Sequence, residues 1–212
     1  MSATKTKIDF KREFKELYGA CREPELVEVP ELTFLMIDGR GDPNTAVEYA
    51  QAIEALFTVA YAAKFGVKRR PGGIDYGVPP LEGLWWTPDM SFTSDDKASW
   101  EWTMMIPQPD VVTVQVFDQA RVVAGERKPL DAVGRVRLER FKEGLAAQVL
   151  HLGPYGAEAP TIQRLHGFIA GEGYERTGKH HEIYLGDPRR TAPKNLKTII
   201  RQPVRSARAD QH

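Results

Sequence analysis

Cysteine is almost missing from this sequence: Cys21 stands alone among 212 residues. An internal disulfide and a cysteine-based metal site are therefore excluded, which fits a reducing compartment, and a cytoplasmic location is expected. An excess of either charge is missing too, with 29 Lys and Arg against 29 Asp and Glu. That balance gives no pull towards nucleic acid, an anionic membrane or an acidic substrate, so direct nucleic-acid binding is not expected. Long apolar runs are the third absence. Residues 1–15 are polar and charged where a signal peptide needs an apolar stretch, and no later segment approaches the roughly 18 to 20 apolar residues of a membrane span.

The chain does contain an ordered alternation of strand and helix signals, and it is long enough to bury a sizeable core. Residues 32–38 are rich in strand formers and run into Gly39, Gly41 and Pro43, a stop signal before a helix start at Asn44 or Thr45. Val47, Ala50, Ile53, Phe57 and Tyr61 then recur at the spacing of a helix with one buried stripe. Residues 67–80, crowded with Gly, Pro and basic side chains, read as a loop. Strands follow at 81–87 and 98–106, and in the second Trp100, Trp102, Met104 and Ile106 alternate with Glu101, Thr103 and Met105. The same order returns downstream. A strand at 145–152 and a turn at 153–156 lead into a helix with the stripe Ile162, Leu165, Phe168 and Ile169, ended by Gly171 and Gly173. Strands at 180–185 and 196–204 complete the second set, each set opens with a short strand (26–29 and 136–141), and a helix over 109–125 with the stripe Val112, Val116 and Val123 links them.

Setting Gly41 against Gly153 gives an offset of 112, whereas Ile106 against Val204 and Trp86 against Tyr184 give 98. The difference equals the 14 residues of the loop 67–80, so one insertion reconciles the two copies. The expected fold is α+β, with ββαββ twice about a pseudo-two-fold axis. It forms one domain over 25–205 (halves 25–108 and 135–205, linking helix 109–125), after an N-terminal extension 1–24 and before a tail 206–212. Ligands favour such junctions because side chains of both halves converge there.

Strand alternation sorts the candidate residues. In the segment 180–185, His181, Ile183 and Leu185 share one face and His180, Glu182 and Tyr184 the other. With Ile183 and Leu185 placed under the helix, Glu182 and Tyr184 face the opposite side, and the offset of 98 pairs Trp86 with Tyr184. Glu182 between these aromatic walls makes a slot for a planar apolar ligand, where desolvation would make the carboxylate a general base. The plainer alternative is a solvated or salt-bridged Glu near Lys179, Arg189 and Arg190, with Trp85, Trp86, Trp100 and Trp102 as packing. Adjacent His180 and His181 point apart and cannot ligate one metal together, so no metal or cofactor is expected. Tyr155 is expected at the groove mouth and Glu158 in the first turn of the following helix. The loop 67–80, with Gly72, Gly73 and Tyr76, is a candidate lid, and the basic stretch from Arg189 to Arg208 reads as a solvated edge with a frayed end.

Several segments together carry a family resemblance. They are His151-Leu152-Gly153-Pro154-Tyr155, His180-His181-Glu182-Ile183-Tyr184-Leu185 with Asp187-Pro188-Arg189-Arg190, Leu196-Lys197-Thr198-Ile199-Ile200-Arg201, and Leu81-Glu82-Gly83-Leu84-Trp85-Trp86. Between about Glu23 and Val204 the chain resembles the stand-alone GyrI-like small-molecule-binding proteins. The resemblance implies an SHS2-type duplicated fold and a central cavity that accepts aromatic, often cationic, compounds. In related regulators the domain is fused to a helix-turn-helix segment, for which the 25 or so residues before the first strand are too few. Some stand-alone members hydrolyse cyclopropane-bearing DNA-alkylating compounds with a cavity Glu and aromatic residues, and Glu182 is the matching position. The expected ligand contacts are Trp86, Tyr184, Trp100, Trp102, Tyr76, Glu158 and His151. Three functions stay open: a binder of planar aromatic molecules, a hydrolase with Glu182 as base and Tyr155 or Tyr184 orienting the substrate, and a protein-interaction module. Monomer and homodimer are both compatible with the sequence.

Overall fold

The computed structural model describes residues 7–89 and 97–207. In chain order the elements are β1 (Lys7–Ile8), α1 (Phe10–Glu13), α2 (Lys15–Tyr18), β2 (Glu25–Arg40), α3 (Val47–Arg69), β3 (Asp75–Tyr76), β4 (Leu81–Trp86) and β5 (Glu101–Gln108). They continue with α4 (Val114–Arg127), α5 (Asp131–Arg135), β6 (Arg137–Leu152), α6 (Ala159–Gly171), β7 (Tyr174–Arg176), β8 (His180–Tyr184) and β9 (Lys197–Ser206). The short strands expected at 26–29 and 136–141 are not separate elements. β2 runs on through Pro30, which lacks an N–H, and β6 through Gly144, which takes a left-handed φ of +76° that glycine tolerates.

Six strands run in the order β6-β2-β5-β4-β8-β9, and β9 pairs back onto β6 to close a barrel. One half supplies β2, β5 and β4, and the other supplies β6, β9 and β8 in the same relation. Equivalent strands meet across the junction, β2 with β6 and β4 with β8, both antiparallel as a two-fold axis requires. The helices obey the same relation. Val47 and Ala159, the first residues of α3 and α6, are 112 apart, like Gly41 and Gly153.

α3 and α6 cover the outside of the barrel. α3 buries Ala52, Ala55, Leu56, Val59, Ala60, Ala63 and Val67 against the outward side chains of β2, β4 and β5 and against α4. Its many alanines let the backbones approach closely, while Val47 and Tyr61, expected in the stripe, are exposed. α3 also continues to Arg69, so residues 67–69 of the expected loop are helical. α4 is capped by the Thr113 hydroxyl, which accepts from the Val116 N–H, and it buries Val116, Phe117, Ala120 and Ala124, leaving Val123 exposed.

Inside the barrel, Phe34, Met36, Leu84 and Met105 form one cluster, and Val27, Val29, Ala146, Ile183 and Ile199 form another. The second is completed by Phe10, Leu17, Tyr18 and Ala20, so the expected N-terminal extension is part of the core. Among the described residues, no helix is long and apolar enough to cross a membrane.

Candidate functional site

The seam between β4 and β8 fixes which side chains can meet. Leu81 pairs with Tyr184, Gly83 with Glu182 and Trp85 with His180. Gly83, Trp85, Glu182 and Tyr184 therefore point outward, towards the starts of α3 and α6, while Glu82, Leu84, His181 and Ile183 point into the barrel. The expectation was the reverse, with Ile183 under the helix and Trp86 beside Tyr184. The offset between β4 and β8 is 99 rather than 98: the Trp85 indole donates to Tyr184 Oη at 3.0 Å outside, and Glu82 meets His181 at 3.0 Å inside, each pair 99 apart. A slip of one residue exchanges every side chain between the two faces of a strand. Trp85, not Trp86, is the partner of Tyr184.

Around Glu182, where the groove is expected, the outward face gathers aromatic side chains from the two helix starts and the strands between them. Trp85 contacts Tyr49, at the start of α3, at 5.8 Å between ring centroids, and Trp100 at 5.7 Å. Tyr49 meets Trp102 edge-on at 5.3 Å, and Tyr155 meets Tyr184 edge-on at 5.4 Å. These are the separations at which aromatic pairs attract. Trp85 lies across Gly83, where a Cβ would stand 2.8 Å from its Nε1, so a glycine opposite Glu182 is what lets the indole reach Tyr184. Tyr49 was missed in the sequence, Trp85 was read as packing and His180 was placed on the face of Glu182 without a role; the correct strand offset would have found Trp85.

Glu182, 9% exposed, receives a hydrogen bond from Tyr184 Oη (2.8 Å) and lies 3.1 Å from His180 Nε2. Glu158, 5% exposed, precedes α6, and its carboxyl lies beside that of Glu182, close enough to share a proton. Two buried carboxylates side by side cannot both stay charged. Burial, then the charge of Glu182, raises Glu158 to about 9, so it holds a proton. Burial opposes the charge on Glu182 as well, but hydrogen bonds from His180, Tyr184 and Glu158 outweigh it and hold Glu182 below the usual carboxylate range, the reverse of the direction expected from desolvation. Burial and the neighbouring carboxylates also raise the Tyr155 phenol to about 12 and push Tyr184 up well above its ordinary value, so both keep their protons.

This pattern has relatives. The GyrI-like small molecule binding domain model matches residues 22–205. The chain belongs to the GyrI-like family. An uncharacterized conserved protein from Listeria innocua is 44% identical, with a TM-score of 0.87 over 93% of this chain and 100% of that one. A hydrolase from the same organism is 42% identical, with a TM-score of 0.85 over 94% and 100%. The C-terminal domain of EcmrR, 14% identical with a TM-score of 0.54 over 87% and 98%, shares the fold alone. No curated protein matches the chain.

Other expected residues take different places in the GyrI-like fold. His151 is buried at the end of β6, with Nδ1 2.9 Å from Thr161 Oγ1 and Nε2 3.4 Å from the Pro154 carbonyl. It therefore braces the turn that presents Tyr155. Tyr76 lies in β3, which pairs with β1, and neighbouring Asp75 is bonded to Lys68 near the far end of α3. At 1.5 Å per residue, Lys68 is roughly 28 Å along the helix from Tyr49. Asp75 and Tyr76 thus pack away from the groove, which removes Tyr76 as a ligand contact and ties the middle of the loop to the far end of α3. Trp86 faces a cleft of about 620 Å³ at the barrel mouth, with Arg40, Glu101, Arg137 and Lys179. There its indole donates to Glu101 and Lys179 lies over its ring. In this cleft Asp38 and Glu101, two of its acids, are already engaged by Arg137 and Trp86. The paired, oppositely protonated carboxyls lie in the groove.

Proposed function

We propose that the groove binds a planar aromatic small molecule and hydrolyses it, with Glu182 as general base and Glu158 as general acid. The observation that carries this reading is the placement of two buried carboxyls, Glu182 and Glu158, side by side among aromatic rings, where only one can stay charged. Environments that push two carboxyls apart are how one site supplies both an acid and a base near neutral pH. Trp85, Tyr49, Tyr155 and Tyr184 supply flat apolar walls, and the likeness to a Listeria hydrolase at 42% identity favours turnover over mere retention.

The resemblance points to a cyclopropane fused to a conjugated ketone as the substrate class. Water gives a proton to Glu182 as its oxygen bonds to the ring carbon. The strained C–C bond breaks, its electron pair moves into the conjugated ring, and the ketone oxygen takes the proton of Glu158. Proton return from Glu182 to Glu158 through their hydrogen bond resets the pair. The Tyr184 hydroxyl, fixed by Trp85, keeps the Glu182 oxygens aimed.

One further observation favours a simpler role beside this one. The pair carries one negative charge among aromatic rings, an arrangement that attracts an organic cation. The test is incubation of the protein with excess cyclopropyl-indole alkylator, followed by mass spectrometry. Wild type should release many equivalents of hydrated product, and Glu182→Gln should lose at least about a hundredfold in rate. Stoichiometric retention without product leaves the binder alone, and undiminished turnover in Glu182→Gln removes the assigned base.

A further inference from the structure

The two halves join along unequal seams. β2–β6 is paired from Glu25–Gln148 to Met36–Arg137, whereas β4–β8 extends only from Leu81–Tyr184 to Trp85–His180. The groove depends on the shorter one, because Trp85 comes from β4 while Glu182 and Tyr184 come from β8. A shift between these strands would separate the indole from the Tyr184 hydroxyl and release the Glu182 oxygens.

Behind that seam lies a fully buried set of charges with no part in the proposed chemistry. His181, next to Glu182 but on the inward face, sits between Glu82 of β4 (Nε2 to Oε2, 3.0 Å) and Glu143 of β6 (Nδ1 to Oε1, 2.9 Å). Both ring nitrogens face carboxylates, so both donate and the imidazole is a cation. Arg201 of β9 meets the other oxygen of Glu143 at 3.3 Å, and Tyr18 of α2 donates to Glu82 Oε1 at 2.6 Å. Arg201 also donates to Gln148 Oε1 (3.0 Å) and to the Leu17 carbonyl (2.7 Å), which ties the N-terminal segment to the same cluster. Burial works against the charge on His181, but Glu143 and Glu82 outweigh it and raise the group to about 9.

We propose that His181 is a positioning residue for Glu182: by clamping β8 to β4 and β6 from inside the barrel, it holds the groove carboxyls in register. The proposal rests on the reading of Glu182 as the working carboxylate of the groove. Two bridges cross the seam at positions equivalent by the duplication, Trp85–Tyr184 outside and Glu82–His181 inside, so the same few residues of β4 and β8 are stapled on both faces. Stability alone does not account for the inner staple. A buried ionic set of this kind is often replaceable by well-packed apolar residues at no loss of stability, whereas its directed hydrogen bonds fix the spacing and register of three strands at once.

The test is a carboxyl 13C NMR titration of Glu158 in the full chain, which needs no ligand. The double variant Glu82→Gln/His181→Gln removes one charge of each sign and leaves the Glu143–Arg201 pair. If the clamp positions Glu182, the Glu158 midpoint in this variant falls towards the ordinary carboxylate range by at least about one pH unit, because the pair separates. A folded double variant with an unmoved Glu158 midpoint overturns the proposal. If the double variant does not fold, Tyr18→Phe, which takes only one hydroxyl from Glu82, is read instead: a smaller shift in the same direction supports the clamp and an unmoved midpoint overturns it. Absence of hydrolysis in wild type would defeat the proposed reaction but leave this titration readable.

Discussion

The two faces of β8 each carry a buried glutamate system with a histidine, and they are resolved in opposite ways. Inside the barrel, Glu82 and Glu143 are matched by two cations, His181 and Arg201, and every charge has a partner. In the groove, Glu158 and Glu182 lie side by side, and among the described residues no Lys or Arg is paired with either. The inner set reaches neutrality by pairing and becomes a fastening. The outer set reaches near-neutrality by keeping a proton, which leaves one acid and one base. The same residue types thus serve structure on one side of a strand and chemistry on the other, depending on whether cations are supplied.

That contrast is broken most severely by single substitutions on its two sides. His181→Gln leaves two buried carboxylates on one arginine and should cost about 3–5 kcal/mol, read as a fall in the denaturation midpoint. Glu182→Gln should cost clearly less than His181→Gln, because the amide oxygen can still accept from Tyr184 and only one buried partner, His180, loses its charge, while turnover is lost. Equal destabilisation by the two would erase the distinction. A finer cut uses the neighbouring tryptophans. Trp85→Ala should weaken binding of a planar aromatic probe about tenfold, or ~1.4 kcal/mol, by removing a groove wall and the donor to Tyr184. Trp86→Ala, at the barrel mouth, should change it less than about twofold. Isothermal titration with an ethidium probe measures both, and the reverse ranking would move the site to the cleft.

The architecture was largely legible in the sequence, because strand alternation, Gly and Pro punctuation and the helix stripes are local signals. The duplication was legible too, and so were Glu182, Tyr184, Tyr155 and Glu158 as neighbours in one region. The face of β4 was not. Insertions and deletions between the halves leave the offset free to vary by one residue, and that residue decides whether Trp85 or Trp86 enters the groove. Only the pairing of β4 with β8, a long-range contact, fixes it. The role of the N-terminal segment was hidden for a similar reason, since Tyr18 finds Glu82 across 64 residues. The loop 67–80 looked like a lid by composition, but its first three residues extend α3, and Tyr76 is buried where β3 pairs with β1.

The split protonation of the groove pair is tested most directly by the pH dependence of kcat/KM. Glu158 must hold its proton to act as the acid, and its value is raised to about 9, so the rate should be level near neutrality and fall as pH rises through about 9. In Glu158→Gln the rate should be low throughout and the alkaline fall should disappear. A wild-type rate that stays level from pH 7 to about 10.5, well past the point where Glu158 loses its proton, would contradict the account.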